Sequence, residues 1–209
     1  MYTLFGSPGC GSAVVEIALE QAGAPYRLVH ASSWEPDSAL AELEKLNPLK
    51  QIPTLVSPDG SVMSESAAIL IHLGLAFPAS RLLPGDSAMR AQAIRGLVFI
   101  AANCYAAIGI CDYPERWCVD ASDDEKKRIV AAARQRLHQH WDVFADLFPA
   151  RPFLSGAEAG ALDFLAVVVS KWSGARAHLR TARPGFFAVL ERIEKHPVVA
   201  SAFARHWPG

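Results

Sequence analysis

The sequence predicts an α/β domain over residues 1–80 followed by an all-α helical bundle over residues 87–209. Three observations carry that expectation. Strand-like and helix-like stretches alternate through the first domain. Arg81 to Asp86 (Arg-Leu-Leu-Pro-Gly-Asp) is polar and rich in turn formers. Beyond it, apolar residues recur almost throughout at helical spacing. A chain of 209 residues is long enough to bury a sizeable core, as one large domain or two small ones.

Tyr2 to Phe5 is a short β-prone run, closed by Gly6-Ser7-Pro8-Gly9, which no regular element tolerates well. From Ser12, the residues Val14, Val15, Ala18, Leu19 and Ala22 repeat with helical spacing, and Gly23 supplies a stop. Tyr26 to Val29 reads as a second strand. Leu40, Leu43 and Leu46 mark a helix face that ends before Asn47-Pro48. Pro53 to Val56 is a strand, Pro58-Asp59-Gly60 a tight turn, and Ser61 to Met63 the antiparallel return. From Ser66 a helix carries Ala67, Ala68, Leu70, Ile71 and Leu75 until Pro78 halts it. The order is β-α-β-α-β-β-α. A helical crossover favours a parallel first pair of strands, with a hairpin added at the end.

In the second domain residues 87–112 form one apolar-striped helical segment. Ser122 with Glu125 predicts a capping box opening a helix that runs to about Phe148, before Pro149 and Pro152. Asp163 to Trp172 is a strongly apolar helix central to the bundle, and Pro184 and Pro197 punctuate two short final helices. No fixed-period repeat and no low-complexity tract interrupts this plan.

Composition narrows the function. With 20 Lys and Arg against 21 Asp and Glu, the net charge of −1 argues against nucleic acid as the main partner, because phosphate neutralisation needs clustered basic residues. Four cysteines are too few for a disulfide scaffold and fit a reducing compartment. Met1 to Phe5 has no basic n-region. The longest uncharged stretch, Gly96 to Cys111, is shorter than the ~18 residues of a membrane span and contains Asn103. A soluble, cytoplasmic protein without a membrane partner is expected.

The most informative stretch runs from Asn47 to Leu55, Asn-Pro-Leu-Lys-Gln-Ile-Pro-Thr-Leu. Pro53 stands at the start of a strand, where it gives no ladder hydrogen bond. A cis bond in a tight bend is one reason for it, and such a bend leaves the N–H and C=O of Ile52 free for an extended ligand backbone. An ordinary edge proline is the alternative. Twelve residues on, Glu65-Ser66 opens the helix that carries Ala67-Ala68-Ile69-Leu70. A helix N-terminus offers unpaired N–H groups to a carboxylate, Ser66 can add a hydroxyl, and Glu65 can accept from an ammonium group. Alone, the pair reads as a plain N-cap; together with Ile52-Pro53 it suits a small zwitterionic peptide.

With these two motifs in this order after a β-α-β unit, the chain resembles the glutathione transferases: a thioredoxin-like N-terminal domain followed by a helical bundle. The resemblance implies that the Ile52 main chain pairs with the cysteinyl part of glutathione, with Pro53 cis. Glu65 and Ser66 would hold the γ-glutamyl end, and Lys50 or Gln51 would lie towards the glycyl carboxylate. It also implies glutathione as co-substrate, a small electrophilic partner and a homodimer. Lys50, where the family commonly has Gly, is similar to the zeta class and some bacterial members. Asp163 resembles the residue that caps the central helix, although Gly160 stands where the family prefers Ser or Thr for a reciprocal bond.

The reacting group belongs at the end of the first strand or the start of the next helix, and Ser7, Cys10 and Ser12 are the candidates. Phe5 takes the nearest aromatic position and has no hydroxyl. Cys10, near a helix N-terminus, is expected to have a lowered thiol pKa and to form a mixed disulfide. Ser12, or Ser7, could instead donate to a glutathione thiolate. A loop with a single cysteine cannot close an internal disulfide, which excludes the two-thiol cycle.

Asn103 and Tyr105, on the first long helix of the second domain, are candidates for an electrophile pocket, against core packing. Cys104, Cys111 and Cys118 recur every seven residues but read as core, and His138-Gln139-His140 has the wrong spacing for joint ligation, so no metal is predicted. The leading expectation is a transferase that activates the glutathione thiolate for attack on a small electrophile or disulfide. The alternatives are a zeta-like glutathione-dependent cis–trans isomerase and a non-catalytic interaction protein on the same fold. The isomerase is weakened because no Lys or Arg lies between Tyr2 and Tyr26 to meet a dicarboxylate.

Overall fold

The structure is a computed structural model that describes residues 1–208; the expected end of the helical domain at Gly209 lies outside the described residues. Its sheet has the order β2-β1-β3-β4. Strand β1 (Tyr2–Gly6) lies parallel to β2 (Tyr26–His30) and antiparallel to β3 (Thr54–Val56), which pairs in turn with β4 (Val62–Met63). Successive side chains of β1 point to opposite faces. Tyr2 and Leu4 join the main core with helices α1 (Ser12–Gln21) and α3 (Ser66–Ala76), whereas Phe5 packs with Ala31 and with Leu43 of α2 (Leu40–Leu46).

Every residue of α1 from Ser12 to Leu19 is buried, so this helix has no solvent stripe. A helix apolar on all sides must be covered on all sides, and here the helical domain supplies the second cover. Helix α7 (Ala161–Val169), itself buried along its whole length, and α10 (Pro197–His206) pack on α1. One hydrophobic core therefore runs from Leu4 through Ile17 to Phe164 and Leu190 across the domain boundary.

Helix α4 (Ser87–Phe99), a π-helical turn (Ile100–Tyr105) and α5 (Ala106–Asp112) form one 26-residue rod. By length and composition this rod could cross a bilayer, which the stretch Gly96–Cys111 alone did not indicate; Leu97, Ile100, Cys104 and Ile108 bury one of its sides in the core. Helix α6 (Asp123–Leu147) opens with the expected capping box: Glu125 N–H donates to Ser122 Oγ at 3.4 Å, and the Ser122 N–H donates to Glu125 Oε2 at 2.8 Å.

The remaining elements bring corrections. Helix α7 stops at Val169 rather than Trp172. Helix α8 (Ala175–Ala182), rich in Arg and His, was not anticipated; it precedes α9 (Pro184–Glu194) and α10. Cys104 is core, but Cys118 is exposed. Asp163 is fully buried and accepts the main-chain N–H groups of Leu154, Ser155 and Gly160 at 2.8, 2.9 and 3.1 Å. Gly160 has no side chain to return the bond, so Asp163 gathers a loop instead of completing a reciprocal pair.

Candidate functional site

Three chain segments and two elements of the helical domain meet at the site. The first is the bend before β3. The Ile52–Pro53 bond is cis. Asn47 organises the approach: its Nδ2 donates to the Gln51 carbonyl and to Thr54 Oγ1, both at 3.1 Å, while its Oδ1 accepts the Leu49 N–H at 3.1 Å. With those bonds in place, neither main-chain group of Ile52 has a backbone partner among the described residues. Lys50 holds a left-handed φ of 55°, which accounts for the preference for Gly there, and its Nζ lies 2.7 Å from Glu44 Oε1. Gln51 points an exposed side chain outward beside it. Sequence reasoning missed the organising role of Asn47; an Asn followed by Pro after a helix was the available signal.

The second segment is the start of α3. Its first intrahelical bond runs from the Ile69 N–H to the Glu65 carbonyl, and no side chain caps it, so the N–H groups of Ser66, Ala67 and Ala68 have no partner among the described residues. Glu65 sits exposed at φ 65° and ψ 103°, a strained backbone for a residue with a side chain. The Ser66 side chain is buried against the site.

The third segment is the loop from Ser7 to Ser12, and it corrects two expectations. Ser12 is fully buried; its hydroxyl donates to the Ser7 carbonyl at 3.1 Å and accepts the Ser7 N–H at 3.2 Å. That proton is committed to the loop, so Ser12 cannot give it to a thiolate. Cys10 precedes the N-cap, Gly11, and its Sγ donates to the Pro8 carbonyl at 3.5 Å. Burial pushes the Cys10 thiol up to about 11, with the Glu35 charge adding to the rise and a hydrogen bond with the Ser7 side chain opposing it. The expected lowering by the helix end does not prevail, because Cys10 is partly withdrawn from water without a cation nearby. Ser7, also buried, acts on Cys10 rather than facing outward.

The helical domain enters from two sides. On one, the π-helical turn carries Asn103 and Tyr105. Asn103 Nδ2 donates back to the Phe99 carbonyl at 3.0 Å, and the Asn103 main-chain carbonyl accepts from His140 Nδ1 at 3.0 Å, which turns its amide nitrogen back onto its own helix. The Tyr105 ring lies 5.8 Å from that of Trp172, and its hydroxyl reaches over to the first domain. A Cβ on Gly11 would stand 2.5 Å from that hydroxyl and 3.6 Å from Pro53 Cδ. The hydroxyl also lies within reach of the Ser66 side chain, yet it is buried and completes no well-formed hydrogen bond. On the other side, the Gly9 N–H donates to His206 Nδ1 at 3.1 Å. No local pattern in the sequence could have found His206. Among the described residues, no three His, Cys, Asp or Glu side chains gather as a metal site.

Known proteins resemble this chain in sequence and fold. The family model described as "Glutathione S-transferase, N-terminal domain" matches residues 4–81. YncG, an uncharacterized GST-like protein of Escherichia coli (strain K12), is 30% identical over 212 residues, covering 99% of this chain and 98% of its own. A probable maleylacetoacetate isomerase of Caenorhabditis elegans is 35% identical over 89 residues, 43% of this chain and 39% of its own. A Sulfitobacter glutathione transferase homologue, solved with bound glutathione, shares the fold at a TM-score of 0.83 and 22% identity, covering 96% of each chain. A relative matched end to end, together with a bend and an open helix end in the expected places, leaves one conclusion: the chain belongs to the glutathione S-transferase family.

Proposed function

We propose that this protein binds glutathione between the Ile52–Pro53 bend and the start of α3, and presents its thiolate to a small electrophile. The observation that carries this reading is the set of unused main-chain groups. Ile52 keeps its N–H and C=O, and Ser66, Ala67 and Ala68 keep their N–H groups, on either side of the spot where Gly11, Pro53, Ser66 and the Tyr105 hydroxyl converge. A γ-glutamyl carboxylate fits the helix end, where amides and dipole both favour an anion, and its ammonium group fits the exposed Glu65 carboxylate. The cysteinyl unit then adds an extended backbone at Ile52, and Lys50 and Gln51 stand on the glycyl side. Rate enhancement comes from ionising the thiol and from holding it beside the electrophile.

The test is calorimetric titration of glutathione into the wild type and Ser66→Ala, followed by turnover of chlorodinitrobenzene. Binding that weakens about tenfold in Ser66→Ala supports the reading, the size expected for a lost bond to a charged group. A wild type that binds no glutathione refutes it.

A second reading has an observation of its own: the N-terminal likeness to the probable maleylacetoacetate isomerase. It predicts glutathione-dependent cis–trans isomerisation of maleylacetoacetate, and an assay with that substrate decides between the two. The homodimer and the reducing cytoplasm belong to the proposal as well. Leu75 on α3 and Met89 and Val98 on α4 are large exposed apolar side chains on two helices in contact, which supports self-association; a sedimentation measurement tests it. The four cysteines are all unpaired, in keeping with a reducing compartment.

A further inference from the structure

We propose that Tyr105, borne by the helical domain, donates its phenolic hydrogen to the sulfur of bound glutathione and is the group that favours the thiolate. This deepens the glutathione reading above and rests on it.

The argument begins with rivals that are already engaged. The Ser12 proton is given to the Ser7 carbonyl, and the Cys10 thiol donates to the Pro8 carbonyl. Phe5 offers no hydroxyl and is buried under α2. Against these, Tyr105 presents a buried hydroxyl with no completed hydrogen bond, and of the buried polar atoms left so among the described residues it is the one that faces Gly11 and Pro53. Ser66 lies within reach but makes no well-formed bond with it, so a donor that has lost its water is still to be matched, and a ligand can supply the acceptor.

Its position identifies the acceptor. The hydroxyl occupies the volume that a side chain on residue 11 would fill, directly over the N-cap of α1, with Pro53 against the same point. Glutathione whose cysteinyl unit runs along Ile52 brings its sulfur to this place. The γ-glutamyl carboxylate lies further on, where three free amides of α3 already serve it. Gly11 thus makes room for a side chain delivered from a residue far along the chain.

The direction of the ring is set by the helix that carries it. The π-helical turn over Ile100–Tyr105 shifts the phase of the rod by one residue, and such turns recur at functional sites. Asn103 takes the Phe99 carbonyl and His140 the Asn103 carbonyl, so the polar groups of the widened turn are satisfied while Trp172 backs the phenol. Burial raises the phenol pKa, the nearby Ser66 side chain opposes the rise, and Cys10 and Glu65 add to it, so Tyr105 stays protonated at neutral pH and serves as a donor, never as the base. The S–H bond breaks with its proton going to solvent, and the sulfur keeps the electron pair and accepts from Tyr105. The hydroxyl is closed off from solvent, so a neighbour must turn aside as the sulfur arrives.

The experiment compares wild type and Tyr105→Phe with two probes, glutathione and S-methylglutathione, which has no ionisable thiol. The thiolate absorption of bound glutathione, followed against pH, gives the pKa of the bound thiol. Tyr105→Phe is expected to raise that pKa by about one unit, a tenfold smaller thiolate fraction, while leaving S-methylglutathione affinity unchanged. Retained S-methylglutathione binding also shows that the variant is folded. An unchanged bound-thiol pKa overturns the proposal, and so does an S-methylglutathione affinity that falls as far as that for glutathione. A wild type that binds neither probe refutes the glutathione reading itself and is told apart from failure of the tyrosine assignment by that fact.

Discussion

The Nδ1 atom of His206 accepts the main-chain N–H of Gly9 at 3.1 Å, tying the last helix to the residue before Cys10. The bond fixes the tautomer: an acceptor at Nδ1 leaves the hydrogen on Nε2, which donates to Glu16 Oε1 at 2.7 Å. His206 is 6% and Glu16 3% exposed, so both polar groups depend on each other for what water would otherwise supply. Arg205 and Tyr26 complete the cluster, at 3.5 and 3.4 Å from Glu16 Oε2, and both also bond Glu20. The loop that carries the reactive candidates is therefore held from the C-terminal end of the helical domain.

Removing that imidazole leaves Glu16 Oε1 and the part-buried Gly9 N–H without their partner, while Glu16 Oε2 keeps Arg205 and Tyr26. His206→Ala is expected to lower unfolding stability by about 1–3 kcal/mol, the cost of leaving a buried polar group without its hydrogen bond. Glutathione affinity should fall as well, through the loosened Gly9–Cys10 segment. Urea unfolding and titration calorimetry measure the two effects. Stability within about 0.5 kcal/mol of wild type would show that the cluster carries no such weight.

Cys10 makes a pH-dependent prediction with a definite sign. Its thiol is pushed up to about 11, so below that pH it is protonated and a poor nucleophile, and the thiolate grows only as pH rises towards 11. Alkylation by iodoacetamide, read residue by residue by mass spectrometry, should label exposed Cys118 well before Cys10 at neutral pH. The gap should narrow as the solution becomes alkaline. Faster labelling of Cys10 at pH 7 would restore the mixed-disulfide chemistry that its place near a helix start had indicated.

Ser12→Ala separates a structural hydroxyl from a catalytic one. Its loss leaves both the N–H and the C=O of Ser7 without their partner in a buried loop. The expected cost is about 1–3 kcal/mol of stability, with the bound-thiol pKa unmoved. The fit is tight: a Cβ on Gly6 would stand 2.4 Å from Ser12 Cβ, so Gly6→Ala should produce a loss of similar kind. A raised thiol pKa in Ser12→Ala would return Ser12 to the active site.

What the sequence disclosed and what it hid follow one physical line. The β-α-β-α-β-β-α order, the Ser122–Glu125 cap and the Ile52–Pro53 and Glu65–Ser66 pairs were legible, since periodicity, caps and turn residues act within a few positions of themselves. Ser12 looked available because a sequence shows a hydroxyl and not the carbonyl five residues earlier that takes its proton. The pKa of Cys10 was misjudged because burial is a property of the packed loop, not of its distance from a helix start. Asn103 and Tyr105 stood two apart on one helix with no sign of the π-helical turn that sends one back to its own backbone and the other into the first domain. Helix α8 escaped because its Arg and His residues hide a narrow apolar face made by Ala175 and Leu179. His206 had no signal at all, being 197 residues from Gly9.

Glu65 offers a variant in which stability and binding should move in opposite directions. A side chain held at a φ of 65° costs about 1–3 kcal/mol, and a glycine accepts that backbone freely. Glu65→Gly relieves the strain while adding about 0.5–1 kcal/mol of unfolded-state freedom, so the variant should be as stable as wild type or more so. It also removes the carboxylate proposed to accept a γ-glutamyl ammonium group, and glutathione binding should weaken about tenfold or more. An analogue that lacks the ammonium group provides the control: wild type should bind it as weakly as Glu65→Gly binds glutathione, and the variant should no longer distinguish the two ligands. Urea unfolding and calorimetry decide the case. A variant that is less stable yet binds both ligands like wild type would show that the strained backbone at Glu65 serves the fold and not the ligand.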